Sequence, residues 1–146
     1  MTLSLKEVTK ENWEQCIALK VAPEQESFVA SNLYSLAEAH YETSFIPKAV
    51  YSYDEMIGFL MLGKDPDDGV YWIVRLMIDE RYQGKGYGHQ AVQAALAFIK
   101  KQRDASSVIR LGVKPENVAA KRLYKACGFS ETGHQEHGED IMEIQL

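Results

Sequence analysis

The segment from Val70 to Arg103 places the strongest constraint on the fold, because it runs from an apolar strand through a glycine turn into a long helix. Residues 70–78 are almost continuously apolar, which predicts a strand with no fully solvated face. Three glycines then alternate with other residues between positions 84 and 88. Apolar side chains recur every three or four positions through residues 92–99, as on the buried face of a helix. The segment therefore predicts a sheet covered by helices.

The glycine turn is also a candidate anion site. The first turn of a helix has unpaired backbone N–H groups and carries roughly half a positive charge, and glycines let a phosphate approach those groups closely. A tight connection chosen only for its backbone geometry would use the same glycines. A dinucleotide site is disfavoured, because the spacing is Gly-x-Gly-x-Gly and the preceding strands have an antiparallel pattern. A phosphorylated ligand is the leading hypothesis.

Composition narrows the class of protein. A chain of 146 residues with 46% hydrophobic side chains suits one domain, residues 1–146. The net charge of −5 argues against nucleic acid or anionic lipid as a partner, and no run is apolar enough for a membrane span. Cys16 and Cys127 lie far apart and the histidines lack metal-ligand spacing, so we expect a cytoplasmic protein without a metal.

Periodicity and turn residues predict the order of the elements. A first strand ends near Val8, a helix covers Trp13 to Val21, and Pro23 opens a second helix that runs to about residue 41. The later elements are two hairpin strands between residues 46 and 62, the strand at 70–78, a helix at 86–103, a strand at 108–113, a helix capped by Asn117 and two closing strands around His137 and Gly138.

This order resembles the GNAT superfamily of acetyl-CoA-dependent N-acetyltransferases over essentially the whole chain. Two motifs carry the resemblance: Arg/Gln-x-x-Gly-x-Gly/Ala in the glycine turn, and an Asn-(x)6-Tyr pair with Gly-Phe beyond it. The matching residues are Arg81, Gly84 and Gly86 in the first motif, and Asn117, Tyr124, Gly128 and Phe129 in the second. The resemblance implies a single α/β (α+β) domain with a mixed, mostly antiparallel sheet of about seven strands and four flanking helices.

The resemblance also implies a cofactor site for acetyl-CoA. The backbone of the glycine turn would hold the pyrophosphate, and backbone groups of Leu76 and Ile78 would pair with pantetheine. Tyr124 would be the catalytic residue, a general acid for the departing thiolate, although an ordinary packing tyrosine has the same helical position. The implied cofactor-binding residues are Leu76, Met77, Ile78, Arg81, Gln83, Gly84, Lys85, Gly86, Tyr87, Gly88, Asn117, Lys121 and Tyr124.

The distribution of charged residues and a narrower resemblance both bear on which amine is the acceptor. Residues 28–39 and 78–88 look similar to bacterial spermine/spermidine acetyltransferases. No Lys or Arg occurs between Lys20 and Lys48 or after Lys125, and both segments are rich in glutamate. Glu38 and Glu42 are therefore expected to bind a polyamine, although the solvated face of a helix explains the same charges.

Several alternatives stay open. Residues 70–78 contain no carboxylate, so the general base is left among Glu38, Glu42, Asp79 and a water chain. The acceptor could instead be an amino acid, an aminoglycoside or a protein amine, and a non-catalytic acyl-CoA-binding module is the rival from another class. The resemblance further allows a homodimer.

Overall fold

The computed structural model describes residues 3–146 as a seven-stranded sheet with four α-helices. The strands are β1 (Leu3–Glu7), β2 (Phe45–Ser52), β3 (Glu55–Lys64), β4 (Tyr71–Ile78), β5 (Val108–Val113), β6 (Ser130–Glu136) and β7 (Glu139–Gln145), and the helices are α1 (Trp13–Ala18), α2 (Asn32–Tyr41), α3 (Tyr87–Lys100) and α4 (Val118–Ala126).

The strand order is β1-β2-β3-β4-β5-β7-β6. Neighbouring strands are antiparallel except β4 and β5, which are parallel and joined through α3. This topology confirms the predicted mixed, mostly antiparallel sheet. No helix within residues 3–146 is long and apolar enough to cross a membrane.

Two apolar clusters lie on opposite faces of the sheet. Leu60 and Leu62 of β3 belong to the cluster that α3 and α4 cover, whereas Phe59 and Met61 belong to the cluster that α1 and α2 cover. All four side chains are fully buried, and burial of each contributes roughly 1.5–3 kcal/mol. Because β3 is covered on both faces, its sequence is apolar at successive positions instead of alternating.

The sheet opens between β4 and β5. Parallel pairing covers only three positions, from Tyr71 opposite Ile109 to Ile73 opposite Leu111, whereas β4 continues to Ile78. A β-bulge at Val74 lies where this pairing stops, since Ile73 and the residue after Val74 pair with consecutive residues of β3. Bulges bend and twist a strand, and the edge of β4 beyond Ile73 consequently has no strand partner among residues 3–146.

The first two helices are shorter than the sequence predicts. The prediction that Pro23 opens the second helix is wrong: residues Pro23–Gln25 form a 3-10 turn, and α2 begins at Asn32, where the Ser31 side chain caps it by accepting from the backbone N–H of Tyr34 at 3.1 Å. Helix α1 ends at Ala18, not near Val21. A long-range contact accounts for that early end, because the backbone N–H of Lys20 donates to the carboxylate of Asp79 at 2.9 Å.

Candidate active site

A cavity of about 1100 Å³ lies where β4 and β5 part. On the α1/α2 face it is lined by the loop at residues 25–30 and by Tyr34 of α2. On the α3/α4 face its lining comes from the glycine turn and from the first two turns of α4. Residues 72–78 of β4 and 112–114 at the end of β5 form its walls, so the cavity joins the two faces of the sheet.

The glycine turn places the N-terminus of α3 at this cavity. Gly84 and Gly86 have φ angles of 78° and 83°, a region that side chains with a Cβ adopt only with strain. Gly86 is the N-cap of α3 and provides no side-chain cap for the first-turn N–H groups. These groups and the positive pole of the 14-residue helix suit a phosphate.

Asp79 fixes the entry to the glycine turn. Its side chain is 4% exposed and accepts hydrogen bonds from the backbone N–H and Nε of Arg81, at 3.0 and 2.8 Å, and from the backbone N–H of Lys20. Burial acts to raise the pKa of Asp79, but these hydrogen bonds and the charge of Arg81 outweigh it and lower that pKa. Asp79 does not line the cavity, so its contacts support a structural role rather than that of a base.

Four predicted cofactor residues of the turn line the cavity with Gln83, namely Gly84, Gly86, Tyr87 and Gly88. The Gln83 amide donates to the backbone oxygen of Ile78 and to the side chain of Gln25, both at 2.9 Å, and so ties the turn to the loop at 25–30. Arg81 and Lys85 do not line the cavity: the Arg81 side chain is paired with Asp79, and the Lys85 ammonium lies 5.9 Å from the Tyr82 ring.

Helix α4 contributes Asn117 and Tyr124 to the lining. The Asn117 side chain caps α4 by accepting from the backbone N–H of Ala120 at 3.2 Å. Lys121, in contrast, does not line the cavity, and its ammonium is paired with Asp140 at 2.5 Å and Glu131 at 3.4 Å. Among the predicted residues of α4, the structure therefore brings two to the cavity and leaves one outside it.

Tyr124 is 9% exposed, and its ring packs edge-on against Phe129 at 5.9 Å between centroids. Its hydroxyl forms no hydrogen bond with any residue between 3 and 146. Burial, followed by the charges of Cys127 and Glu139, raises the pKa of Tyr124 to about 12. The phenol is therefore protonated at neutral pH and able to donate a proton.

The lining of the cavity is acidic. Its carboxylates are Glu26, Glu42, Asp65, Glu136 and Glu139. Two of its three cations are already paired, since Lys64 lies 2.6 Å from Asp104 and Arg75 lies 3.1 Å from Glu38; the third is Lys114.

Of the two glutamates predicted to bind substrate, Glu42 lines the cavity, whereas Glu38 is outside the lining and pairs with Arg75. The site predictions did not include Glu136 and Glu139. Their only sequence signal was the second segment without cations, after Lys125.

Leu76, Met77 and Ile78 also line the cavity, along the free edge of β4. The side chain of Met77 is buried in the α1/α2 cluster, and Leu76 and Ile78 pack in the α3/α4 cluster. Because these side chains are committed to the two cores, this stretch offers the cavity its backbone N–H and C=O groups.

Comparison with known proteins agrees with this architecture. The chain is 30% identical to the spermine/spermidine N(1)-acetyltransferase of Bacillus subtilis (strain 168) over 153 aligned positions that cover all of both chains. It is 29% identical to a probable spermine N(1)-acetyltransferase of Bacillus subtilis subsp. natto, again over the full length of both.

Among solved structures, an acetyltransferase from Thermus thermophilus superposes with a TM-score of 0.78 at 20% identity, over 100% of this chain and 98% of that one. An aminoglycoside acetyltransferase in complex with coenzyme A and kanamycin gives a TM-score of 0.82 at 19% identity, over 99% and 95% of the two chains. The family model described as acetyltransferase (GNAT) family matches residues 5–129. The chain belongs to the GNAT family of N-acetyltransferases.

Proposed function

We propose that the protein transfers the acetyl group of acetyl-CoA to a primary amine of a polyamine such as spermidine or spermine. The observation that carries this proposal is the charge of the cavity, whose lining has five carboxylates and only one cation that is not paired within residues 3–146. A polyamine is a chain of ammonium groups at neutral pH, so an acidic cavity attracts it. The curated relatives named as spermine or spermidine acetyltransferases support the same acceptor.

The α3/α4 side of the cavity suits the donor. The first-turn N–H groups of α3 would hold the pyrophosphate, and the unpaired edge of β4 at Leu76 and Ile78 would hydrogen-bond to the amide groups of pantetheine as a further strand does. Acetyl-CoA supplies the activated acetyl group. A backbone N–H on the same edge would stabilise the negative charge that develops on the carbonyl oxygen during attack.

Tyr124 is the residue of this side that would act in proton transfer. It lines the cavity, its hydroxyl is without a hydrogen-bond partner in the described chain, and its raised pKa keeps it protonated. In the proposed reaction it donates its proton to the sulfur as the carbon–sulfur bond breaks.

The α1/α2 side suits the acceptor. Glu26 and Glu42 lie on the two segments that flank α2, and both line the cavity. An acceptor that carries a carboxylate would need a free cation, yet Arg75 is already paired with Glu38, which leaves Lys114 at the end of β5 as the one lining cation without an ion pair within residues 3–146. The charges of this side consequently favour a polyamine over an amino acid.

An amine panel tests the proposed acceptor. Release of CoA thiol is followed with spermidine, spermine, a monoamine and glutamate, for the wild type, Glu42→Gln and the control Glu24→Gln, which is exposed and outside the cavity. We expect Glu42→Gln to raise KM for spermine about three- to fivefold, in line with the loss of one partly exposed ion pair, and to leave KM for the monoamine almost unchanged. Wild-type preference for the monoamine or for glutamate would contradict the proposal.

A further inference from the structure

Glu139 enters the cavity from the face of the sheet opposite to Tyr124. Leu111 of β5 pairs with Met142 of β7, and both are buried in the cluster that α3 covers. Because successive side chains of a strand alternate between faces, Glu139 lies on the α1/α2 face. The neighbouring Asp140 shows the alternation directly, since its carboxylate pairs with Lys121 of α4 on the other face.

The space that the Glu139 carboxylate occupies exists because residue 112 is a glycine. A Cβ built at Gly112 would lie 2.5 Å from Oε1 of Glu139 and 3.3 Å from its Cβ and Cδ. Gly112 does not have a positive φ angle, so the backbone conformation does not require glycine there. The reason for glycine is the close approach of the Glu139 side chain, which a Cβ at position 112 would displace.

Within residues 3–146 the Glu139 carboxylate forms neither an ion pair nor a hydrogen bond, and it lines the cavity together with Tyr124. Its charge contributes to the raised pKa of the Tyr124 phenol, after burial and Cys127. A carboxylate that is free to accept a proton therefore lies near a phenol that is held protonated, across the opening between β4 and β5. A carboxylate without a partner and a phenol that line the same cavity can serve as a base and acid pair.

The other carboxylates considered for the base are less well placed. Asp79 is outside the cavity and accepts three hydrogen bonds. Glu38 is also outside it and is paired with Arg75. Glu42 lines the cavity but is exposed at the end of α2, and no shift of the Tyr124 pKa is attributed to it.

We propose that Glu139 accepts the proton that the acceptor amine loses, and that Gly112 keeps the carboxylate in place. This role rests on the proposed acetyl transfer. The attacking amine is in its neutral form, having lost one proton to solvent; its nitrogen forms a bond to the thioester carbonyl carbon, a proton of that nitrogen passes to the Glu139 carboxylate, the carbon–sulfur bond breaks, and the sulfur takes the proton of the Tyr124 hydroxyl. The products are the amide and CoA thiol, and proton exchange with solvent restores both side chains.

The test compares two ways of disturbing Glu139. Glu139→Gln removes the charge, and Gly112→Ala keeps the charge but displaces the carboxylate. Glu143→Gln is the matched control, because Glu143 is on the same face of the same strand and outside the cavity, where it pairs with Arg110. Steady-state kinetics with spermidine, the Kd for acetyl-CoA and a thermal melt are measured for each variant.

We expect Glu139→Gln to lower kcat roughly 100-fold, the lower end of the range for general base catalysis. Gly112→Ala should lower kcat at least tenfold, and Glu139→Asp should recover part of the loss. The Kd for acetyl-CoA should change less than twofold in all variants, and Glu143→Gln should retain wild-type kcat.

An active wild type whose Glu139→Gln variant keeps kcat within threefold would overturn the role of Glu139 alone. A loss that appears only in KM for spermidine would also overturn it, since that result would identify a binding carboxylate. If the wild type releases CoA thiol with none of the amines tested, the proposed function is overturned, and the role of Glu139 with it. Should Gly112→Ala fail to fold, Glu139→Gln and Glu139→Asp still decide between these outcomes.

Discussion

Two tyrosines of this chain share a pKa raised to about 12, and their surroundings separate their roles. The Tyr71 hydroxyl donates to Asp104 at 2.8 Å and lies outside the cavity, whereas the Tyr124 hydroxyl has no such partner among residues 3–146 and lines the cavity. A phenol whose hydroxyl already donates a hydrogen bond to a carboxylate is not free to donate its proton to a substrate. Of these two tyrosines, only Tyr124 is available to a reacting sulfur.

The substitution Tyr124→Phe should therefore lower kcat about 100-fold, because a positioned general acid accelerates such steps by roughly 10²–10⁴. The ring packing against Phe129 is retained, so the thermal midpoint should change little. Tyr71→Phe is the control, and it should lose stability through its hydrogen bond but keep kcat. Equal kcat values for wild type and Tyr124→Phe would exclude Tyr124 as the acid.

The environment of Asp79 predicts how its contribution to stability changes with pH. The pKa of Asp79 is lowered in the folded protein. The ionised carboxylate therefore adds to the free energy of unfolding above the pKa of an unfolded aspartate, about 3.9, and this stabilisation is lost as pH falls towards the folded pKa. Asp79→Asn should lower the free energy of unfolding by about 1–3 kcal/mol at pH 7, and the difference from wild type should shrink steadily below about pH 4.

Urea unfolding between pH 3 and 8 measures this difference. Glu80→Gln is the matched control, because Glu80 is the exposed neighbour and forms no ion pair within residues 3–146. A difference between wild type and Asp79→Asn that stays constant with pH would contradict the assignment of the hydrogen bonds to the ionised carboxylate.

At the scale of elements, the glycine turn combines backbone conformation with a ligand site. Gly86 has a φ angle of 83°, and a Cβ there would meet no heavy atom within 4 Å. Gly133 of β6 has the same properties, with a φ angle of 85°, but lies outside the cavity. Alanine at either position should cost about 1–2 kcal/mol of backbone strain.

Only Gly86→Ala should weaken CoA binding, because only Gly86 caps the helix that faces the cavity. Calorimetric titration of CoA into Gly86→Ala, Gly133→Ala and wild type measures this. We expect at least a fivefold increase in Kd for Gly86→Ala and less than a twofold change for Gly133→Ala. Matching affinities for the two variants would place the CoA phosphates elsewhere.

Local patterns in the sequence predicted most of the elements. The apolar run of β4, the glycines before α3 and the Asn117 cap of α4 are local signals, and each leads to the observed element. The start of α2 was missed because Pro23 permits a helix but does not require one, and the cap formed by Ser31 lies eight residues further on. The early end of α1 depends on Asp79, which is 59 positions away from Lys20 and has no local signature.

At the scale of the whole molecule, the site is a consequence of the opening in the sheet. One opening places the uncapped end of α3, the free edge of β4 and the acidic loop at residues 25–30 around the same cavity. The strand order β5-β7-β6 brings the acidic C-terminal segment to the same place. Glu139 could not be predicted from the sequence, because its face and register follow from the pairing of β7 with β5.

The central claim is that this two-sided cavity brings acetyl-CoA to a polyamine such as spermidine or spermine. A competition experiment tests it most directly: equimolar spermidine, kanamycin and aspartate are incubated with the wild-type protein and acetyl-CoA, and the acetylated products are quantified by mass spectrometry at early times. We expect acetylspermidine to exceed each other product at least tenfold, with the excess over acetylaspartate falling as added salt screens the acidic cavity. Acetylkanamycin or acetylaspartate as the main product, or no acetylated amine at all, would contradict the claim.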